Sequence, residues 1–126
     1  MRLYMDTVDR LTVLTKLIQD FAEIRDWDQF HTPKDLAIGL STEANELLDL
    51  FRFKTTEQME TMMHDDHKRA EMSGELADIF FFLLRFAQMN GFDLAKCLED
   101  KMAYNELRYP VEKTKGSNLK YNEVDT

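Results

Sequence analysis

Apolar residues recur along this chain at intervals of three and four rather than two, the spacing of one helix face and not of a half-buried strand. Four Gly and two Pro leave few interruptions, so the pattern predicts an all-α fold. A first helix is predicted over residues 6–24, with Val8, Leu11, Thr15, Ile18 and Phe21 one above another. Trp27 and Phe30 mark an aromatic connector. Thr32-Pro33 reads as N-cap and first helical residue of a second helix over 33–51, whose buried stripe is Leu36, Leu40, Ala44, Leu47 and Phe51. Residues 54–66, polar and dotted with methionine, fit either a loop or a short helix. A third helix is predicted over 68–89, closed by the left-handed stop Asn90-Gly91. Asp93 caps a fourth over 94–108, ended by Tyr109-Pro110. The expected organisation is one all-α domain over 1–110 and an irregular tail over 111–126, able to contribute to an active site.

The acids break this pattern in one place. Residues three apart on a helix differ by about 60° in direction, so Glu43 and Glu46 share a face, as do Glu75 and Asp78. Acid pairs at this spacing ordinarily decorate a solvated face. Here the helical wheel places Glu43 between Leu36 and Leu50, inside the apolar stripe, with Glu46 at its edge. Glu75 falls between Phe82 and Phe86, on a helix that Met72, Leu76, Ile79, Phe80, Leu83 and Leu84 make apolar on nearly every side. Such a helix is expected to be buried all round, by more than one subunit. Carboxylates in these surroundings either lose their charge or destabilise the fold unless a cation joins them. With no Cys or His at matching positions, the oxygen-only set suits a hard ion, Mg²⁺ with Mn²⁺ as a substitute. Two acid pairs on facing helices have the donor set of metal-assisted phosphoryl chemistry. Glu71, one turn before Glu75, is placed to reach a second ion. On the fourth helix, Lys101, Asn105 and Arg108 continue the line of Leu94 and Leu98, which turns polar groups inward; they read either as phosphate and sugar contacts or as stems packed on the core with their heads in water.

Composition narrows the partners. The 126 residues fit one domain, and 44% hydrophobic with 32% charged residues is ordinary for a folded globular chain. A formal net charge of −8 disfavours a polymeric nucleic acid partner, although a small anion with local cations remains compatible. The single cysteine, Cys97, rules out an intrachain disulfide and reads as a small buried hydrophobe in a cytoplasmic protein. The longest strongly apolar run, 79–84, is far short of the roughly 20 residues a spanning helix needs, so no membrane partner is expected.

The order Glu43-Ala-Asn-Glu46, 28 intervening residues (47 to 74), then Glu75-Leu-Ala-Asp78 resembles the metal signature of MazG-like nucleoside triphosphate pyrophosphohydrolases. The stretch from Phe21 through Arg25-Asp26-Trp27 and Phe30-His31-Thr32-Pro33 to Leu36 is similar to the subgroup that includes the dCTP pyrophosphatases, as are Lys101-Met102, Asn105, Arg108-Tyr109-Pro110 and Lys120-Tyr121. The resemblance covers residues 18 to 121. It implies a four-helix bundle intertwined as a homodimer or homotetramer, and cleavage of a nucleoside triphosphate between α- and β-phosphates. By position it implies that Glu43, Glu46, Glu75 and Asp78 hold Mg²⁺ and carry catalysis. The substrate-binding set it implies is Trp27, His31, Phe53, Lys54, Phe82, Lys101, Asn105 and Tyr109. Phe53 stands where relatives carry a tryptophan, and Ile18 replaces a histidine near the base.

Four other readings arise. His64-Asp65, with His67 at helical spacing, superficially matches an HD-type phosphohydrolase but lies in the most polar segment without partner ligands. A di-iron bundle needs paired Glu-x-x-His elements, and a Walker loop needs G-x-x-x-x-G-K-S/T; the chain has neither. A non-catalytic helical module that binds nucleotide or protein around a structural ion stays open.

Overall fold

The computed structural model describes residues 2–124, with side chains from Arg10 onward. Among these residues it is all-helical: α1 (Arg2–Ile24), a 3₁₀ turn (Asp28–Phe30), α2 (Pro33–Asp49), α3 (Thr56–Met62), α4 (Asp66–Asn90), α5 (Leu94–Arg108), α6 (Val111–Thr114) and a second 3₁₀ turn (Tyr121–Glu123). Local chemistry sets these limits. The Thr32 hydroxyl accepts from Asp35 N–H at 3.1 Å, with Pro33 as first helical residue. The segment 54–66 resolves into a short helix because Thr55 and Gln58 form a reciprocal capping box, at 3.1 and 2.9 Å. Asp65 accepts from Lys68 N–H at 2.8 Å and so starts α4 two residues earlier than expected. Gly91, at φ 75°, stops it.

The chain forms two compact units, Met1–Gly91 and Phe92–Thr126. In the first, α4 packs chiefly on α2 and secondarily on α1. Ala22, Leu36, Met62, Met72, Leu84 and Ala87 form its buried apolar core, together with the fully buried Arg85. The approach of α2 to α4 depends on Gly39: a Cβ there would lie 2.4–2.6 Å from three atoms of the Phe82 ring. In the second unit the tail folds back on the end of α5. The Thr114 hydroxyl donates to Pro110 O at 2.7 Å, Tyr121 meets Tyr109 edge-on at 6.4 Å, and the Arg108 guanidinium lies 3.4 Å from the Tyr121 ring centroid.

Three expectations change, and a fourth reaches beyond what one chain can cover. Within one chain α4 leaves Leu76, Phe80 and Leu83 exposed, since it packs chiefly on α2 and secondarily on α1. Ala44 is exposed, since Gly39 and Glu43 occupy the contact line on α2 that Ala44 was expected to share. The tail is not wholly irregular, for α6 and a 3₁₀ turn lie within it. Cys97 is exposed rather than buried, on a helix with no fully buried residue.

Replacing Gly39 by Ala tests the close contact. Alanine adds about 1 kcal/mol of helix propensity, but displacing a rigid ring costs about 3 kcal/mol. The expected outcome is a net destabilisation of about 2 kcal/mol, measured by chemical denaturation; an unchanged or raised midpoint would show that the ring yields freely.

Candidate metal centre

Helix α2 supplies Glu43 one turn after Gly39, and α4 supplies Asp78 one turn before Phe82. The bare contact between Gly39 and Phe82 therefore lies one turn from the acids and brings the two helix backbones close beside them. One carboxylate oxygen from each of Glu43, Glu75 and Asp78 lies within 4.8 Å of the others. Glu46 stands beside them, within hydrogen-bonding reach of both Glu43 and Glu75. All four predicted ligands thus come together, three as a tight trio.

The electrostatics are those of crowded like charges. Oε2 of Glu43 and Oε2 of Glu75 are buried with no hydrogen-bond partner, a costly state for a carboxylate. Loss of hydration, then the hydrogen bond and charge of Glu46, then the charge of Asp78 push the Glu43 carboxyl up from 4.5 to about 7. The same loss of hydration and Glu46 raise Glu75. Orphaned, oxygen-only donors of negative charge are what a hard divalent cation satisfies, and the acidic cluster fits one.

The acids open into a cavity of about 500 Å³. Glu43 and Asp78 line it together with Ile18, Phe21, Trp27 and the Phe80-Phe81-Phe82 run, so an aromatic chamber stands beside the carboxylates. Of the predicted substrate residues, Trp27 and Phe82 line this cavity. His31 touches its wall, edge-on to Trp27 at 6.2 Å and to Phe81 at 6.4 Å. Lys54 lines a separate cavity with Lys68. Phe53 is 89% exposed at the end of α2, at φ 60°, with the Arg52 guanidinium 4.9 Å from its ring centroid. Lys101, Asn105 and Tyr109 belong to the second unit, where Asn105 and Arg108 are half-buried and Lys101 is exposed above the Tyr104 ring at 5.3 Å.

Glu71 is engaged elsewhere, by His67 at 3.0 Å and Lys68 at 3.6 Å, and His64 is exposed. Two contributors escaped the sequence reading. Gly39, a glycine in mid-helix, was a signal in itself, and Arg85, a charge set between Leu84 and Phe86 in an apolar run, was another.

The sequence profile of the MazG-like family matches residues 38–124, which include all four carboxylates and the whole Phe80-Phe81-Phe82 run. The chain belongs to the MazG-like family. Among proteins similar to this MazG-like chain is dCTP pyrophosphatase 1 of Bos taurus, 36% identical over 88% of this chain and 66% of that protein. The Homo sapiens protein of the same name is 34% identical over 88% of this chain and 65% of its own length. This chain therefore spans slightly less than two thirds of the relatives it matches. The crystal structure of a pyrophosphatase from Archaeoglobus fulgidus superposes with a TM-score of 0.74 at 29% identity, covering 80% of this chain and 93% of that one.

The raised carboxyls fix the sign of a pH effect. A carboxyl that holds its proton more tightly when folded favours the fold below its unfolded value, and that contribution is lost as pH rises through the folded value. The metal-free protein is therefore expected to lose thermal stability between about pH 4.5 and pH 7, with Glu43 the main source. Millimolar Mg²⁺ or Mn²⁺ should restore it most strongly at the upper end, as measured by melting temperature across pH with and without chelator. A metal-free stability that climbs through this window would contradict the assignment.

Proposed function

We propose that this chain hydrolyses nucleoside triphosphates between the α- and β-phosphates, releasing nucleoside monophosphate and pyrophosphate, with deoxynucleotides of the dCTP kind favoured. The observation that carries this reading is the pair of buried, unpartnered oxygens of Glu43 and Glu75, in a cluster whose Glu43 and Asp78 line an aromatic cavity of about 500 Å³. Membership of the MazG-like family and similarity to dCTP pyrophosphatases support it.

In this reading Glu43, Glu46, Glu75 and Asp78 hold Mg²⁺, for which Mn²⁺ can substitute. Such an ion supplies charge neutralisation and Lewis acidity to a triphosphate. Glu43, Glu75 and Asp78 form a tight cradle with Glu46 beside it, and a carboxylate not fully committed to the ion takes a proton from attacking water. Trp27, Phe82 and the neighbouring rings exclude water and stack on the base. Lys101, Asn105 and Tyr109, with Lys54 and Phe53, are assigned to phosphate, sugar and base contacts, and the segment after Pro110 assists by bracing Arg108 and Tyr109. The exposed Leu76, Phe80 and Leu83 of α4 are the face through which a homodimer or homotetramer assembles. No helix among the described residues is long and apolar enough to cross a membrane, and we place the protein in the cytoplasm, clearing unwanted nucleotides or trimming a dNTP pool.

The rival is a nucleotide- or protein-binding module that keeps its ion for structure. Pyrophosphate release from a panel of canonical and modified dNTPs, with Mg²⁺ present or chelated, separates the two. Glu43→Gln and Asp78→Asn are expected to lose on the order of 100-fold or more in turnover while keeping helical circular dichroism. His64→Ala with His67→Ala should leave turnover intact. Normal hydrolysis by the carboxylate variants would refute the assigned roles, and metal binding without turnover in the unmodified protein would favour the module.

A further inference from the structure

Arg85 is the one fully buried charged residue among those described, with a relative exposure of 0%. Burying a guanidinium is unfavourable unless its donors are occupied. Three of them are: Nε donates to Nδ1 of His31 at 2.8 Å, one terminal nitrogen to Oε1 of Gln88, and the other to the carboxylate of Asp28. Asp28 and His31 both belong to the connector between α1 and α2, whose 3₁₀ turn starts directly after Trp27. A charge on α4 thus grips the connector that carries the cavity wall.

The bond to His31 has a consequence for its chemistry. A guanidinium N–H can only donate, so Nδ1 must offer its lone pair and the ring proton must sit on Nε2. The charged groups facing the imidazole are Arg85 from α4 and Asp28 from its own connector; desolvation, then Arg85, hold His31 below its ordinary value, with Asp28 opposing. Trp27 and Phe81, the rings in contact with it, are uncharged. Nε2 has no hydrogen-bond partner among the described residues and is not sealed from solvent. Position on the helix matters as well. Arg85 follows Asp78 by seven residues, nearly two turns, so it lies on almost the same face about 10 Å along the axis, with Phe81 and Phe82 between them.

We propose that Arg85 is a positioning residue for nucleobase recognition: by occupying Nδ1 of His31 it leaves one fixed donor, Nε2–H, at the Trp27–Phe81 wall, where it meets a carbonyl or ring-nitrogen acceptor of the base. This rests on the nucleotide reading above. Helix α4 then carries both ends of recognition, carboxylates for the phosphates at Asp78 and the support of a base-reading donor two turns on.

The test uses the full chain labelled with ¹⁵N-histidine, His31 being assigned by its absence in His31→Phe. In the metal-free protein His31 is expected to show an unprotonated Nδ1 and a protonated Nε2 and to titrate below the ordinary histidine range, and in Arg85→Met to lose the fixed tautomer and titrate higher than in the unmodified protein, because the guanidinium charge is gone while the burial remains. Adding dCTP with chelator should shift the Nε2 proton in the unmodified protein only. In steady state, Arg85→Met and His31→Phe should each raise KM for dCTP about tenfold with kcat nearly kept, and the double variant should be no worse than either. If Arg85→Met does not fold, Arg85→Lys keeps the buried charge but cannot span three partners, and is read by the same signals. A neutral His31 with its proton on Nδ1 in the unmodified protein, or additive losses in the double variant, would overturn the proposal. Hydrolysis of dCTP with an Nε2 proton that ignores the nucleotide would overturn it and leave the hydrolase reading standing. A shift on dCTP without any pyrophosphate release would do the reverse.

Discussion

Two helices must come close enough for opposing carboxylates to share one centre, and the rest of the first unit is arranged around that approach. Like charges repel most where water is thin, so α2 and α4 gain nothing from the acids themselves until a cation arrives. What holds them together is apolar: Leu36 and Leu84 in the core, and the ring of Phe82 laid on the bare backbone of Gly39. The favourable packing and the unfavourable charge lie one helical turn apart, so the first fixes the distance at which the second is felt. An acidic cluster of this kind is preorganised by packing against its own repulsion.

The same helix sorts the chemistry by position. Moving along α4 from Glu75 and Asp78, the side chains turn from carboxylate to aromatic and then to the buried guanidinium of Arg85. Only a helix could array three kinds of group on neighbouring turns with so little freedom between them. The connector after α1 closes the far end through Asp28 and His31, and the left-handed Asp26, at φ 57°, turns the chain sharply enough for Trp27 to reach the wall.

Much of this was legible in the residues. The acids announced themselves because Glu43 and Glu75 interrupt apolar stripes, and a wheel detects interruption without coordinates. Helix limits followed from Thr32-Pro33, Asn90-Gly91 and Asp93, where capping chemistry is local. The capping box at Thr55 and Gln58 was equally local and was passed over for want of a hydrophobic stripe behind it. What periodicity could not supply was the identity of the covering partner. It marks the apolar faces of α4 but not which of them a single chain leaves bare, as it does Leu76, Phe80 and Leu83. Arg85 and its contacts with Asp28 and His31 were hidden for a related reason: they join residues more than fifty positions apart.

Phe53 shows how a loop can prepare a surface. Its backbone occupies the left-handed region, which disfavours any residue with a Cβ by about 1 kcal/mol or more, yet its ring is almost wholly bare with Arg52 lying over one face. The turn fixes where the Cα–Cβ bond points, while the ring beyond it stands in water. A flat molecule settling on the open face would have to still that ring, so whatever grip this end of the helix offers is opposed by the disorder it removes.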